Sequence, residues 1–332
     1  MTETEFSLES FGRKCLLPPA YKEIEQKVID TAIYKDDVWT VSYPRTGSTW
    51  CQEIVWLIGN DLDFEKAKTV LQQLRAPLIE TSIVMFDCVD QKIIPIKDQP
   101  ELKYKRGFLP YSSMPDSNTS KSLYQLFSDS LSFVENMPSP RFIKSHLSLE
   151  LLPKKLFTVK PKVIYIMRNP KDLCVSYYYH CKIYHKINVD FEIFCELFMN
   201  DALPIGSIFN HYFGFWNRRH DENILILRYE DLKTDTRETI KKIAIFMEKP
   251  LNDEDADAIS EFLSFHNMRK NKACNLQVFF DAIQGDDFYS KAGIHFIRKG
   301  IVGDHKNIMT EEMIKKFDKW IQDNICGTDL WF

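Results

Sequence analysis

Four short apolar runs, each ending in polar or charged residues, constrain the fold of this chain more than any other feature. Their length and their content of Val, Ile and Tyr are typical of buried β-strands. Patterns typical of helices alternate with them along most of the chain. This alternation predicts an α/β fold with a mainly parallel central sheet flanked by helices. The predicted strands are residues 38–43, 141–146, 162–168 and 223–229, and the predicted helices are residues 21–33, 48–58, 63–74, 170–185, 191–199, 206–219 and 234–247.

The composition is typical of a folded globular chain. Of its 332 residues, 44% are apolar and 27% are charged, and no tract rich in Ser, Gly or Pro divides it. We therefore expect residues 1–332 to form a single globular domain. Residues 75–140 show little periodicity and contain scattered Pro, Ser and Asp, which predicts long functional loops there.

Charge and cysteine usage narrow the class of partner and the compartment. A net charge of −4 argues against a general affinity for nucleic acid or anionic membranes, so we expect a small-molecule partner. The sequence has no run of 18 apolar residues that would predict a membrane span, and residues 1–9 contain no apolar signal segment. Because the cysteines are scattered without a CxxC pair, we expect reduced core thiols in a cytoplasmic protein. They are Cys15, Cys51, Cys88, Cys174, Cys181, Cys195, Cys274 and Cys326.

The first predicted strand leads into a turn with the chemistry of an anion site. Pro44 and Gly47 interrupt the periodicity, and Ser48 and Thr49 stand where a helix leaves its first N–H groups unpaired. A strand, a tight turn and an open helix N-terminus together form an anion cradle. The spacing resembles a P-loop, but a P-loop has Gly at the position of Ser42 and Lys at the position of Ser48. A strand-to-helix turn without function is the alternative.

The carboxyl ends of the predicted strands bring ionisable side chains to one edge of the sheet, where ligands bind in parallel α/β folds. Arg45, His146, Arg168 and Tyr229 fall at or just beyond these ends. His146 is a candidate general base for a hydroxyl near pH 7, with Lys144 two positions earlier on the same face of the strand. A capped or surface histidine is the alternative.

Two further segments combine cations with backbone features that suit a phosphate. Residues 169–172 carry the N-cap, proline and acidic signals of a helix start. Capping does not explain Arg168 and Ser176, which could grip a phosphate through a guanidinium fork and a hydroxyl. Residues 298–307 form a basic loop whose two glycines let the backbone approach a phosphate monoester. Simple helix capping and a solvated basic turn are the alternatives.

Taken together, these segments resemble the cytosolic sulfotransferase family. That family's signature has a YPKSGTTW loop, a KTHLP strand end, an RNxKDxxVSYYHF segment, a YEDL turn and an RKGxxGDWKNxFT loop. Corresponding segments occur here in the same order, and the resemblance extends over nearly the whole chain. They are residues 43–50 (YPRTGSTW), 144–147 (KSHL), 168–172 (RNPKD) with 176–178 (SYY), 229–232 (YEDL) and 298–307 (RKGIVGDHKN).

The resemblance implies transfer of a sulfuryl group from 3′-phosphoadenosine 5′-phosphosulfate, without a metal, to a hydroxyl or amine of a small apolar acceptor such as a phenol, sterol or alcohol. It also implies that His146 accepts the acceptor's proton during in-line attack, while Lys144 and Arg45 neutralise developing charge. The implied cofactor-binding residues are Arg45, Thr46, Gly47, Ser48 and Thr49 around the phosphosulfate, Trp50, Tyr229 and Phe265 near the adenine, and Arg168, Ser176, Arg298, Lys299 and Gly300 at the 3′-phosphate.

Three departures from the family pattern bear on function. Arg45 stands where most members have Lys, which keeps the charge but changes the geometry, because a guanidinium forks across two oxygens. His305 replaces the Trp of the C-terminal motif and is expected to reshape the cofactor lid. The family's dimer motif, KxxxTVxxxE, is half present, with Glu311 for Val and Lys315 for Glu, so we expect a monomer or a weak homodimer. Residues 75–80 resemble a family segment that lines the acceptor side.

Two other functions stay open on the sequence. An ATP-using P-loop kinase would need a Lys directly after Gly47 and an acidic Mg²⁺ ligand at a strand end, and the sequence shows neither clearly. A non-catalytic nucleotide-binding relative would be consistent with the substitutions at Arg45 and His305.

Overall fold

The centre of the fold is a parallel β-sheet formed by the four predicted strands. The strands are β1 (Val38–Ser42), β2 (Phe142–Ser145), β3 (Lys162–Met167) and β4 (Ile224–Arg228). The computed structural model describes residues 17, 21–84, 117–185, 187–276 and 295–332. Within these ranges the strand order is β2-β1-β3-β4, and every neighbouring pair is parallel. All four strands therefore end at the same edge of the sheet.

Both faces of the sheet are buried, as expected for a parallel sheet covered by helices. Alternate residues of a strand point to opposite faces. Val163, Tyr165 and Met167 of β3 accordingly belong to one apolar cluster, whereas Ile164 and Ile166 belong to a second. The predicted α/β class with a parallel central sheet is confirmed. The extent of the domain, residues 1–332, stays a prediction.

Sixteen α-helices lie in the described part of the chain and make up most of the connections between strands. They are α1 (Tyr21–Asp30), α2 (Ser48–Gly59), α3 (Phe64–Thr69), α4 (Gln72–Arg75), α5 (Thr81–Val84), α6 (Ser117–Ser128), α7 (Ser130–Glu135), α8 (Leu156–Val159), α9 (Pro170–Tyr184), α10 (Phe191–Met199), α11 (Ile208–Trp216), α12 (Tyr229–Thr234), α13 (Thr236–Phe246), α14 (Asp253–Phe262), α15 (Phe265–Lys270) and α16 (Glu311–Ile325).

The prediction of loops throughout residues 75–140 was wrong. Helices α5, α6 and α7 lie in this segment, while residues 85–116 lie outside the described ranges. Helix α6 is rich in Ser and Asn, and its fully buried apolar side chains are Leu123 and Leu126. Its apolar residues are confined to positions 123–127, so a helical period extends over little more than one turn and does not stand out in the sequence. Helices α14 to α16 were also not predicted.

Most of the cysteines occupy the core, but the prediction of a core thiol was wrong for Cys326, which is exposed. Helix α16 buries Phe317, Ile321 and Ile325, and Cys326 follows the last of these just beyond the helix end. Cys15 and Cys88 lie outside the described residues. Among the described helices, none has the length and apolar character needed to cross a membrane. The buried free thiols are Cys51, Cys174, Cys181, Cys195 and Cys274.

Candidate active site

The turn between β1 and α2 requires glycine at position 47. Gly47 has a φ of 99°, and a Cβ there would lie 2.5 Å from Cδ2 of Tyr229. Thr46 is buried and donates from Oγ1 to the carbonyl of Tyr43 at 3.0 Å, and Tyr43 donates from its hydroxyl to the carbonyl of Gly206 at 3.0 Å. The side chain of Thr46 therefore supports the turn from inside, and a binding role for Thr46 stays a prediction.

Helix α2 begins at this turn with an open N-terminus. Its N-cap residue is Gly47, which has no side chain to accept from the first N–H groups of the helix. Ser48 and Thr49 follow, and they line a cavity of about 550 Å³. The positive end of the helix dipole also lies here. The cavity wall at this point suits an anionic group.

The same cavity brings together all but one of the residues that the sequence singled out. They come from the carboxyl end of the sheet, from α9 and α15, and from the C-terminal basic loop, and only Thr46 among them does not line the cavity. The lining residues of this set are Arg45, Gly47, Ser48, Thr49, Trp50, Lys144, His146, Arg168, Ser176, Tyr229, Phe265, Arg298, Lys299 and Gly300.

His146 follows β2 directly and is held at three points. Its Nδ1 lies 2.8 Å from the carbonyl oxygen of Ser42, and because a carbonyl can only accept, Nδ1 carries the ring proton and Nε2 does not. The backbone N–H of His146 donates to Glu80, and His211 donates from Nε2 to the backbone carbonyl of His146 at 3.2 Å. Burial, followed by the charge of Lys144, lowers the pKa of His146 well below its ordinary 6.5. At pH 7 the imidazole is thus neutral, with Nε2 able to accept a proton.

Glu80 supports this arrangement and was not predicted as a site residue. Its buried carboxylate accepts from the hydroxyl of Ser145 at 3.0 Å and from the backbone of His146. Burial raises the pKa of Glu80 to about 7. The segment before it runs alongside β2, since Leu78 pairs with Lys144 in a parallel bridge. An acidic residue in an apolar segment was the available signal, because a buried carboxylate requires partners.

Residues 72–80, the segment that leads to Glu80, also form hydrogen bonds and an ion pair with α2. Leu78 lines the cavity. Arg75, by contrast, forms a buried ion pair with Glu53 of α2 at 2.7 Å. Gln72 donates from Nε2 to Glu53 at 2.8 Å and to the carbonyl of Thr49 at 2.9 Å. That residues 75–80 line the acceptor side stays a prediction, and the side chain of Arg75 lies in the core.

Two partly buried cations lie near His146. Desolvation lowers the pKa of Lys144 to about 8; the carboxylate of Glu80 opposes this shift and Arg45 adds to it. Desolvation likewise lowers the pKa of Arg45 to about 10. Both pKa values lie above 7, so both side chains are mainly positive at neutral pH. At neutral pH the site thus combines a neutral base with two positively charged side chains.

The guanidinium of Arg45 is fixed by contacts from two distant segments. Its Nε donates to Oγ of Ser176 at 3.3 Å, and its Nη2 donates to the carbonyl of Phe296 at 2.8 Å. The guanidinium carbon also lies 4.4 Å from the centroid of the Phe296 ring. The backbone of Arg45 has a φ of 70°, which residues other than glycine rarely adopt. Such strain is characteristic of functional sites.

Arg168 lies directly after β3 and is almost fully buried. It donates from Nη1 to the carbonyl of Arg45 at 3.3 Å and from Nη2 to the carbonyl of Ile301 at 3.2 Å. Its guanidinium lies 4.3 Å from the ring centroid of Tyr229. The Tyr212 hydroxyl holds the backbone of Arg168, donating to its carbonyl at 2.7 Å. Arg168 therefore connects the cradle with the C-terminal loop.

In the C-terminal basic loop, residues 298–307, two cationic side chains bind the same carboxylate. Arg298 and Lys299 donate to Asp304 at 2.7 and 3.0 Å. Gly300 has a φ of 63°, and a Cβ there would lie 2.8 Å from the Phe265 ring. The loop can therefore approach α15 this closely only with glycine at position 300.

His305, which replaces the family's Trp, anchors this loop to α9. Asp172 accepts from the backbone N–H groups of Gly303 and His305 at 2.6 and 3.0 Å, and from Nδ1 of His305 at 2.7 Å. Burial by itself would raise the pKa of Asp172, but the hydrogen bonds from His305 and Gly303 outweigh it and lower that pKa. Asp172 was predicted only as a helix-start signal, and its contact with the loop was not foreseen.

Three buried N–H donors on the cavity wall lack a partner in the described structure: Nε1 of Trp50, Nε of Arg168 and Nε of Arg298. An unpaired buried donor costs on the order of 1–3 kcal/mol, so this wall suits a ligand rich in hydrogen-bond acceptors. The phosphates and ring nitrogens of a nucleotide meet that requirement. No group of three or more His, Cys, Asp and Glu side chains among the described residues is arranged to hold a metal ion.

Comparison with known proteins shows what this arrangement is similar to. A family model described as a sulfotransferase domain matches residues 35–329. Luciferin sulfotransferase of Photinus pyralis is 34% identical, over 93% of this chain and 76% of its own length. Sulfotransferase 1B1 of Canis lupus familiaris is 33% identical, over 90% of this chain and 86% of its own. The solved structure of retinol dehydratase in complex with androsterone and the inactive cofactor PAP is 31% identical, with a TM-score of 0.80 over 97% of this chain and 90% of that chain.

Proposed function

This chain belongs to the sulfotransferase domain family, and we propose that it transfers a sulfuryl group from 3′-phosphoadenosine 5′-phosphosulfate to a hydroxyl or amine of a small, largely apolar acceptor. One observation carries the proposal: a neutral histidine with an unprotonated Nε2 lines the same cavity as an open helix N-terminus and two cations. Membership of a sulfotransferase family argues against the alternative function of an ATP-using kinase.

The residues around the N-terminus of α2 and the C-terminal basic loop support binding of the donor. When bound, 3′-phosphoadenosine 5′-phosphosulfate supplies an activated sulfuryl group. The N-terminus of α2 and Arg45 would hold its 5′-phosphosulfate, and the unpaired donors of Trp50, Arg168 and Arg298 would find acceptors on the nucleotide. The structural relative with PAP bound supports the same class of ligand. The remaining residues proposed for binding are Gly47, Ser48 and Thr49 at the phosphosulfate, Tyr229 and Phe265 near the adenine, and Ser176, Lys299 and Gly300 at the 3′-phosphate.

In the proposed mechanism His146 acts as general base. The hydrogen bond from Nδ1 to Ser42 fixes the tautomer, so Nε2 can accept the proton of the attacking hydroxyl. Lys144 and Arg45 would stabilise negative charge on the transferring group and on the leaving phosphate. The residues of the chain thus contribute proton transfer, positioning and electrostatic stabilisation.

The lining of the cavity supports a small apolar acceptor. Phe127, Tyr177, Ile205 and Phe296 contribute apolar surface to the cavity wall. Apolar and aromatic linings with few polar groups are typical of sites for small organic molecules. The relative named for luciferin and the structural relative bound to androsterone are consistent with this class.

The proposal is tested with the purified protein, the phosphosulfate donor and a panel of phenols, sterols, alcohols and amines. We expect adenosine 3′,5′-bisphosphate to be released and the acceptor to gain the mass of a sulfuryl group. We also expect the bisphosphate to raise the melting temperature when AMP and ATP do not. Stabilisation by the bisphosphate without a sulfated product from any acceptor would instead support a non-catalytic nucleotide-binding relative.

Arg168→Ala should weaken binding of adenosine 3′,5′-bisphosphate by about 10- to 100-fold, the loss of a charged hydrogen-bonding group. AMP, which lacks the 3′-phosphate, should lose much less affinity. Isothermal calorimetry with both nucleotides measures the difference. Arg237→Ala, which removes an exposed arginine paired with Asp257, serves as a control and should leave both affinities unchanged. Equal losses for the two nucleotides would remove Arg168 from the 3′-phosphate site.

The value of kcat/KM for the donor should depend on pH as a bell-shaped curve. His146 must be neutral to accept a proton, and because its pKa is lowered, the acidic limb should lie below pH 6.5. Lys144 must be charged, so activity should fall as the pH rises through its pKa of about 8. Lys144→Arg keeps its proton and should move the alkaline limb upward. If the alkaline limb of Lys144→Arg lies at the same pH as that of the wild type, a group other than Lys144 causes it.

A further inference from the structure

The cavity is lined by a histidine that the proposed mechanism does not use. His180 lies on α9 one turn after Ser176, and both side chains line the cavity. Residues separated by one turn lie on the same face of a helix. Helix α9 therefore presents Ser176 and His180 to the same cavity. His180 lies close enough to Arg45 and Lys144 for their charges to affect it.

The ring of His180 is packed among aromatic side chains. It stacks with Tyr177 at a centroid distance of 5.9 Å and lies 4.6 Å from the ring of Tyr184. Burial, followed by the charge of Arg45, lowers the pKa of His180 well below its ordinary 6.5. The imidazole is therefore neutral at pH 7, with one ring nitrogen able to donate and the other able to accept.

The Nδ1 atom of His180 is buried without a hydrogen-bond partner in the described part of the chain. The stacked Tyr177 uses the proton of its hydroxyl in a hydrogen bond to the carbonyl of Pro204 at 2.7 Å, so that proton is not available to the His180 ring. Apolar side chains such as Phe127 and Ile205 form other parts of this wall. An unpaired polar group in such surroundings is costly, and a ligand group that pairs with the ring would remove that cost.

We propose that His180 binds a second hydroxyl group of the acceptor, separate from the hydroxyl that receives the sulfuryl group. This inference rests on the proposed function and narrows its substrate class to apolar molecules with two hydroxyls. A hydroxyl fits either tautomer of the ring, because it can both donate and accept. A cationic group is disfavoured by the positive charges of Arg45 and Lys144. A purely apolar group would leave the ring unpaired.

The test compares 1- and 2-naphthol with the dihydroxynaphthalene isomers. The measured quantity is the ratio of kcat/KM for each diol to that for the matching naphthol. In the wild type we expect at least one isomer to be preferred by about tenfold, the effect of one buried hydrogen bond. His180→Phe keeps an aromatic ring and removes both nitrogens, so the preference should be lost, whereas His180→Asn should keep part of it. His220→Phe makes the same change at an exposed histidine that does not line the cavity and should keep the ratio.

The affinities of the same acceptors are also measured by calorimetry with adenosine 3′,5′-bisphosphate present, so the ratio of dissociation constants is available without turnover. The inference is overturned if the wild type prefers no diol, or if the ratios are the same in the wild type and His180→Phe. If the acceptors are sulfated but the diol-to-naphthol ratios are the same in the wild type and His180→Phe, the inference about His180 is wrong and the proposed function stands. If the ratio of dissociation constants depends on His180 but no acceptor is sulfated, the proposed function is wrong and the inference about His180 stands.

Discussion

Replacing His146 with Ala should lower kcat by roughly 10²- to 10⁴-fold, because the variant lacks the proposed general base. Binding of adenosine 3′,5′-bisphosphate should be kept, because the residues proposed to bind the nucleotide are unchanged. The contacts with Glu80 and His211 use the backbone of His146, so they remain in the variant. The variant loses the contacts of the ring with Ser42, whose carbonyl and hydroxyl oxygens lie 2.8 and 3.4 Å from Nδ1. Steady-state kinetics at saturating substrates give kcat, and calorimetry gives the nucleotide affinity.

The control for this variant is His220→Ala, which removes an exposed histidine and should leave kcat unchanged. An unchanged kcat in His146→Ala would exclude His146 as the base. Loss of nucleotide binding together with kcat would indicate that the ring supports the cavity as a whole, and this too would count against a purely catalytic role.

Replacing Arg45 with Ala should lower kcat by about 10²-fold, by analogy with the loss of one donor that stabilises charge in a transition state. The guanidinium is fixed by Ser176 and the carbonyl of Phe296, and with a pKa of about 10 it carries its charge at neutral pH. Arg45→Lys keeps the charge and introduces the residue that most family members have. We expect that variant to be as active as the wild type or faster.

The variant Arg45→Gln separates charge from hydrogen bonding, since its amide can donate but is neutral. We expect it to resemble Arg45→Ala in kcat, because the positive charge of Arg45 is what stabilises the transition state. Near wild-type activity in Arg45→Gln would assign the role to positioning. An inactive Arg45→Lys variant would mean that the cradle of this protein works differently from those of its relatives.

Local sequence signals predicted the elements that depend on nearby residues. The four strands were found because each is a continuous apolar run ending in polar residues, a pattern that a parallel sheet buried on both faces requires. The start of α9 was found because Asn169 accepts from the N–H of Lys171 and Pro170 occupies the first helical turn. These interactions span a few residues, so the sequence contains them completely.

The same local signals failed where burial is decided by distant segments. The apolar residues of α6 are confined to positions 123–127, too short a stretch to show a period, and the exposure of Cys326, just beyond the end of α16, depends on what the helix packs against. Propensity and periodicity carry no information about such packing. The loops predicted for residues 75–140 and the core position predicted for Cys326 were wrong for this reason.

By itself the sequence determined the α/β class, the anion cradle, the candidate base His146 and the resemblance to sulfotransferases, because motif spacing and apolar runs are local properties. Only the tertiary structure decided how these parts work together. It placed Glu80 at the backbone of His146, set the ring tautomer through Ser42, and left Nδ1 of His180 without a partner among the described residues. Each of these depends on contacts between segments far apart in the chain, and the environment that sets the protonation of a histidine exists only when those segments meet.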